Sequence, residues 1–185
     1  MQCNFQKLEY PVDTSMLLQQ LEENPQLWNE HPERKDWDGS PHAMMSDIWV
    51  RFRPKDELTE TKHYAEPHIP AWYHSRHLLT EVERISLDLL ALTRGVQLGG
   101  VLITKIPPKG RIYPHDDKGR WHPEFFNYKL YIPLKSNEKC LNHCNGETVI
   151  MKVGDVWFFD NLKVHSVENN GDDDRITLIV CIRRE

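Results

Sequence analysis

The chain has 185 residues, enough for one domain with a sizeable core and short for two. With 28 acidic against 23 basic side chains, its formal charge of -5 argues against a broad electrostatic footprint for nucleic acid or an anionic membrane surface. No apolar run approaches a membrane span, the opening MQCNFQKLEYPVDT lacks the layout of a secretory signal, and 4 cysteines are few for a disulfide scaffold; a cytoplasmic protein with Cys3, Cys140, Cys144 and Cys181 as thiols is expected.

In chain order, the pattern predicts a short helix over 14–23, with Leu17, Leu18 and Leu21 on one face and Asn24-Pro25 ending it. From HPERKDWDGSPH to HYAEPHIPAWYH the chain is rich in Pro, His and charge and reads as loop. DIWVRF interrupts it: Ile48, Val50 and Phe52 alternate with Trp49 and Arg51, as in a half-buried strand. The segment HLLTEVERISLDLLALTRG carries Leu78, Val82, Ile85, Leu89 and Leu92 at helical spacing, with Gly95 where a C-terminal cap belongs, so one helix face should cover a sheet.

Beyond it come GGVLITKI, RIYPH, KLYIPL, ETVIM, DVWFFD, KVHSV and RITLIVCI, short β-type runs separated by Gly, Asn, Asp and Pro. So many short strands in about 85 residues signify a sandwich or barrel. The expectation is a single α+β domain over 1–185, with helices and substrate-side loops in 1–97 and a β core carrying the chemistry in 98–185.

His115 and Asp117 stand two apart, so if the RIYPH strand continues they point to one side, while Asp116 points to the other. His165 follows 48 residues after Asp117, past DVWFFD and its turn, and is expected on a strand across the barrel. Two imidazoles and one carboxylate on a β-barrel match the facial triad of non-haem Fe(II) oxygenases, which leaves metal positions open. Arg175 comes ten residues after His165 and shares a strand face with Thr177. A guanidinium fork beside a hydroxyl suits a carboxylate held inside a barrel, where an unpaired charge is expensive.

His-x-Asp, then His165 about fifty residues on and Arg175-x-Thr177 ten later, resembles the double-stranded β-helix Fe(II)/2-oxoglutarate-dependent oxygenases. Within them, KLYIPL…GDVWFFDNLKVHSVENNGDDDRITLIV is similar to the aspartyl/asparaginyl β-hydroxylase family over residues 98 to 183. The resemblance implies a jelly-roll or cupin-like core with flanking helices. It makes His115, Asp117 and His165 the iron ligands and catalytic centre, and Arg175 with Thr177 the clamp on the distal carboxylate of 2-oxoglutarate. Some members lack the triad carboxylate; Asp117 supplies it here. Where the family often has Arg and His, this chain has Lys129 and Tyr131, a pair that keeps one cation and one hydrogen-bonding ring for the co-substrate. The implied reaction uses O2 and 2-oxoglutarate to hydroxylate an unactivated C–H of an amino-acid side chain, free or in a peptide or protein.

Two other classes compete: a cupin-like metal module without oxygenase activity, which needs no buried carboxylate clamp, and a nucleic-acid demethylating oxygenase. Relatives of the second kind usually carry another Arg six residues after the first, where this chain has Cys181. CLNHCNG offers Cys140, His143 and Cys144 as a zinc set, but without a fourth ligand it reads as a hairpin tip with free thiols. Trp157, Phe158 and Phe159 are expected in the barrel core. Arg51, Arg120, Trp121 and His122 are candidate substrate contacts, and loops within 36–74, together with CLNHCNG, are expected to close over the barrel mouth.

Overall fold

A computed structural model describes residues 4–60, 62–63, 66, 68–118 and 126–185. Among them four α-helices, α1 (Ser15–Glu23), α2 (Glu33–Asp36), α3 (Ser75–Leu78) and α4 (Thr80–Leu92), accompany eleven strands that make two antiparallel sheets. The larger sheet has seven, ordered β1 (Phe5–Leu8), β9 (Val156–Phe159), β6 (Tyr128–Lys135), β11 (Arg175–Arg183), β4 (Gln97–Ile106), β2 (Ser46–Phe52) and β3 (Ala71–Trp72). The smaller has four, ordered β5 (Arg111–His115), β10 (His165–Asn169), β7 (Cys140–Cys144) and β8 (Glu147–Val149).

Period-two alternation divides each strand of the large sheet between two cores. On one face, Ile48, Val50, Val101, Ile103, Leu130, Ile132, Leu178 and Val180 pack with Leu17 and Leu21 of α1 (Ser15–Glu23) and Val82, Ile85 and Leu89 of α4 (Thr80–Leu92). On the other face Trp49, Phe52, Leu102, Tyr131, Phe159 and Ile179 form a second cluster that reaches Cys144 of the small sheet. A third, of Met45, Ile106, Ile112 and Val167, bridges the sheets directly. Trp49 is therefore buried at 2 % exposure although the alternation of DIWVRF predicts it on a solvent face. Helices cover one side of the strand and the second sheet covers the other.

Three local expectations need correction. The long helix does not run unbroken from His77: a one-turn α3 (Ser75–Leu78) ends at Leu79, whose φ of -114° and ψ of 60° are non-helical, before α4 begins. Leu79 is buried while Leu78 is exposed, because the break rotates the apolar face; Leu92, the last residue of α4, is exposed as well. At the other end Arg94, with φ 53°, takes the left-handed position, and Gly95 closes the turn with its N–H on Leu90 O at 2.8 Å. Gly95 answers a packing demand, since a Cβ there would lie 2.4 Å from Ile182 Cγ2 and 2.6 Å from Leu90 Cδ1. Finally, CLNHC is strand β7; Cys140 and Cys144 are fully buried in it, and the tip of the hairpin is Asn145-Gly146. β1 carries no alternation that sequence reading detects; its register on β9, Phe5 opposite Phe159, makes it a strand. No helix among the described residues is long and apolar enough to cross a membrane.

Candidate metal centre and active site

His115 ends β5 and His165 begins β10, and these strands are direct neighbours with the two histidines as Cα partners. The expectation that His165 comes from across the barrel is thus wrong: register alone sets the two rings side by side, centroids 4.3 Å apart. Asp117 lies beyond the end of β5, where its N–H donates to Asn161 O at 3.0 Å, and this bond brings the carboxylate back to the histidines. Its Oδ1 is 3.9 Å from His115 Nε2 and its Oδ2 4.0 Å from His165 Nε2. Ligand atoms of the three residues all fall within 4.8 Å of one another.

Each histidine points Nδ1 at a carbonyl two residues earlier, His115 at Tyr113 O (2.8 Å) and His165 at Lys163 O (2.9 Å). Donation there fixes the tautomer that leaves a lone pair on Nε2. Burial pushes the His115 imidazole down to about 4, with His165 adding to it, and burial likewise lowers His165. Both rings are neutral at pH 7, the state in which imidazole binds metal. His165 Nε2 is buried without a hydrogen-bond partner, a costly arrangement that a metal ion relieves. This donor set fits Fe(II).

Lys129 and Asn161 complete the centre. Lys129 Nζ meets Asp117 Oδ2 at 2.6 Å and Asn161 Nδ2 donates to the same oxygen at 2.9 Å. Burial is the largest single influence on the Lys129 ammonium and depresses it, but the Asp117 carboxylate, with Tyr131 and Cys181 adding to it, turns the net shift upward. Asn161, missed in the sequence because nothing marks it within DNLKVH, acts through the turn between β9 and β10. His42 packs its ring edge on His115 at 4.9 Å.

Further inside, Arg175 is 1 % exposed and Thr177 fully buried. Among the described residues the guanidinium donates to Asn142 Oδ1 at 2.8 Å, while Arg175 Nε and Thr177 Oγ1 find no partner. No carboxylate pairs with Arg175 among the described residues, and its pKa is lowered by burial. Tyr131 lies on the same sheet face, its ring 4.6 Å from Phe159, which in turn packs on His165 at 5.0 Å. Lys129, expected together with Tyr131 to serve the co-substrate, is bonded to the Asp117 carboxylate.

The remaining expectations divide. Arg51 donates to Pro70 O and to Leu98 O (3.2 Å) and lies over the Trp72 ring, away from the three ligands. Arg120, Trp121 and His122 lie outside the described residues. In CLNHCNG, Cys140 bonds Asn169 Oδ1, Cys144 bonds Asp160 O and His143 bonds Thr148, so the three do not converge as a zinc set. Of the aromatic loop residues, His42 and His68 reach the site region, whereas Trp72 stacks on Arg51 and Arg76. Trp157 and Phe158 are only partly buried beside Phe159.

The two facing sheets with this centre at one end have the fold of the 2-oxoglutarate/Fe(II) oxygenases. The chain superposes on a Trichoplax adhaerens prolyl hydroxylase bound to a hypoxia-inducible-factor peptide fragment with TM-score 0.62 and 11 % identity, over 97 % of this chain and 83 % of that one. A viral collagen prolyl hydroxylase from Paramecium bursaria Chlorella virus-1, in complex with 2-oxoglutarate, gives 0.57 at 12 % identity, covering 100 % and 98 %. A 2-oxoglutarate/Fe(II) oxygenase-family oxidoreductase from Burkholderia pseudomallei gives 0.55 at 14 %, covering 94 % and 91 %. No curated protein matches the chain in sequence. The model of the aspartyl/asparaginyl β-hydroxylase family matches residues 18–185, and the chain belongs to that family. It is a 2-oxoglutarate-dependent hydroxylase.

Proposed function

We propose that this hydroxylase oxidises an unactivated C–H of an amino-acid side chain, free or within a peptide, using Fe(II), 2-oxoglutarate and O2. The observation that carries the reading is a pair of demands unmet among the described residues inside one barrel: a buried imidazole nitrogen without a partner at His165, and a buried cation without an anion at Arg175. A divalent metal answers the first and a dicarboxylate the second.

His115, Asp117 and His165 would hold the iron, whose chemistry when bound is activation of O2 coupled to decarboxylation of 2-oxoglutarate to succinate. The Nδ1–carbonyl bonds orient both rings, and Lys129 with Asn161 holds the Asp117 carboxylate by Oδ2. Arg175 and Thr177 receive the distal carboxylate, with Asn142 orienting the guanidinium. Tyr131 packs on Phe159 and Phe159 on His165, so apolar ring surface adjoins the metal centre.

A bare metal-binding module has no use for a buried, unpaired Arg175, and a nucleic-acid substrate fits poorly with a formal charge of -5. The test is succinate formation from 2-oxoglutarate with Fe(II), screened over free amino acids and short peptides. Turnover stimulated by a member of the panel, with a product heavier by one oxygen atom, is expected. Absence of metal-dependent 2-oxoglutarate binding would overturn the reading.

A further inference from the structure

The strand that carries His115, β5, is the edge of the small sheet: β10 pairs with one side of it, and no strand among the described residues pairs with the other. His115 is the last residue of β5, and its side chain is 14 % exposed where those of Asp117 and His165 are 4 %. Its Nδ1 bond to Tyr113 O stays within its own strand, so this ligand needs a brace from outside the small sheet. A segment from the N-terminal half of the chain covers the edge. Pro41 O accepts from Tyr113 N at 2.9 Å, and Met45 packs with Ile112. Between them His42 sets its ring at 82° to that of His115, centroids 4.9 Å apart.

His42 is in turn held by an ion pair for which the reaction has no other use. Arg34 and Asp47 are 4 % and 2 % exposed, and Arg34 Nη1 meets Asp47 Oδ2 at 2.8 Å. Trp49 Nε1 donates to the same oxygen at 3.2 Å. The other arm of the guanidinium, Nη2, lies 3.3 Å from His42 Nε2. A guanidinium only donates, so Nε2 accepts and the His42 proton sits on Nδ1. Stability alone gives little reason for such a pair, since apolar side chains of similar volume often serve it as well or better. What a planar fork adds is direction, here the angle of the His42 ring.

We propose that His42 is a positioning residue of this hydroxylase: its ring holds the His115 imidazole in the metal-binding orientation, and the Arg34–Asp47 pair holds His42. This rests on His115 being an iron ligand, as above, and extends the metal centre beyond the β core to residues 34–47. The test compares the unmodified protein with His42→Ala, with Arg34→Met/Asp47→Asn, and with all three changes together. The double replacement removes both charges at once, so neither ion is left alone in the interior, and the Asn amide keeps an acceptor for Trp49 Nε1. Anaerobic calorimetry reads Fe(II) affinity, the visible keto-acid band reads 2-oxoglutarate affinity at saturating Fe(II), and urea unfolding reads the stability of the metal-free protein. Nitrogen-15 shifts of the metal-free protein read which nitrogen of His115 carries the proton.

His42→Ala should weaken Fe(II) binding about tenfold and leave 2-oxoglutarate affinity unchanged, because Arg175 and Thr177 are untouched. His115 should carry its proton on Nδ1 in the unmodified protein and show a mixture of the two tautomers in His42→Ala. Arg34→Met/Asp47→Asn should also lose Fe(II) affinity, and the triple variant should lose no more than the larger of the two separate losses, as residues that act through one another do. Should His42→Ala fail to fold, Arg34→Met/Asp47→Asn carries the same measurements. Unmodified Fe(II) affinity in His42→Ala, an unchanged His115 tautomer there, or a loss of affinity that merely follows loss of stability across the variants would each overturn the role of His42. Losses that multiply in full in the triple variant would overturn the role of the Arg34–Asp47 pair. Absence of Fe(II) binding in the unmodified protein would remove the ligand assignment and this inference with it.

Discussion

Replacing Arg175 with Met tests the clamp through two effects of opposite sign. Met fills much of the same volume but removes a cation that is 1 % exposed and has no carboxylate partner among the described residues. Binding of 2-oxoglutarate should weaken by about 2–5 kcal/mol, roughly 30- to 5,000-fold in Kd, much of it from leaving the co-substrate carboxylate without its charge-assisted fork. Without co-substrate the change should not destabilise. Relief of an unpaired buried charge is worth about 1–4 kcal/mol, and the lost donor to Asn142 Oδ1 costs about 1–3 kcal/mol. Anaerobic titration of the Fe(II) protein, followed by the visible keto-acid band, measures the first effect, and urea unfolding of the metal-free protein measures the second. Wild-type affinity in Arg175→Met would place the clamp elsewhere, and a large loss of stability would mean that the guanidinium is paired after all.

Thr177→Val removes one hydroxyl without a partner and should cost only about 0.5–2 kcal/mol of 2-oxoglutarate binding, read in the same titration, with no loss of fold. His165→Ala removes the buried Nε2 and should abolish Fe(II) binding by anaerobic calorimetry; full metal occupancy would refute the ligand assignment. The His115 imidazole, lowered from 6.5 to about 4, makes unfolded chains bind a proton that folded ones refuse. Stability of the metal-free protein should therefore fall as pH drops from about 6.5 to about 4, by a total of about 3 kcal/mol, and thermal melts across that window that stay level would contradict it.

What the sequence determined by itself was chemical. The offsets among His115, Asp117, His165 and Arg175 survive in a linear reading because each is tied to a strand end or a strand face, and period-two alternation then placed Arg175 and Thr177 together on the inner side. The strands that lack such periodicity did not show: β1 exists because Phe5 registers opposite Phe159, and β7 because it inserts between β10 and β8. Nor could alternation say that both faces of β2 are covered, which is why Trp49 is core.

Only the tertiary structure decided how the centre is built. Strand register, which depends on pairing between segments about fifty residues apart, made His115 and His165 neighbours where the linear pattern suggested opposite walls. Asn161, Asn142 and Arg34 are polar residues in unremarkable sequence surroundings, and their meaning comes wholly from what lies within hydrogen-bond reach: the Asp117 carboxylate, the Arg175 guanidinium, and the Asp47–His42 pair. A buried charge or lone pair is costly only relative to its surroundings, so the unmet needs of His165 and Arg175 come into being when the two sheets close and exclude water.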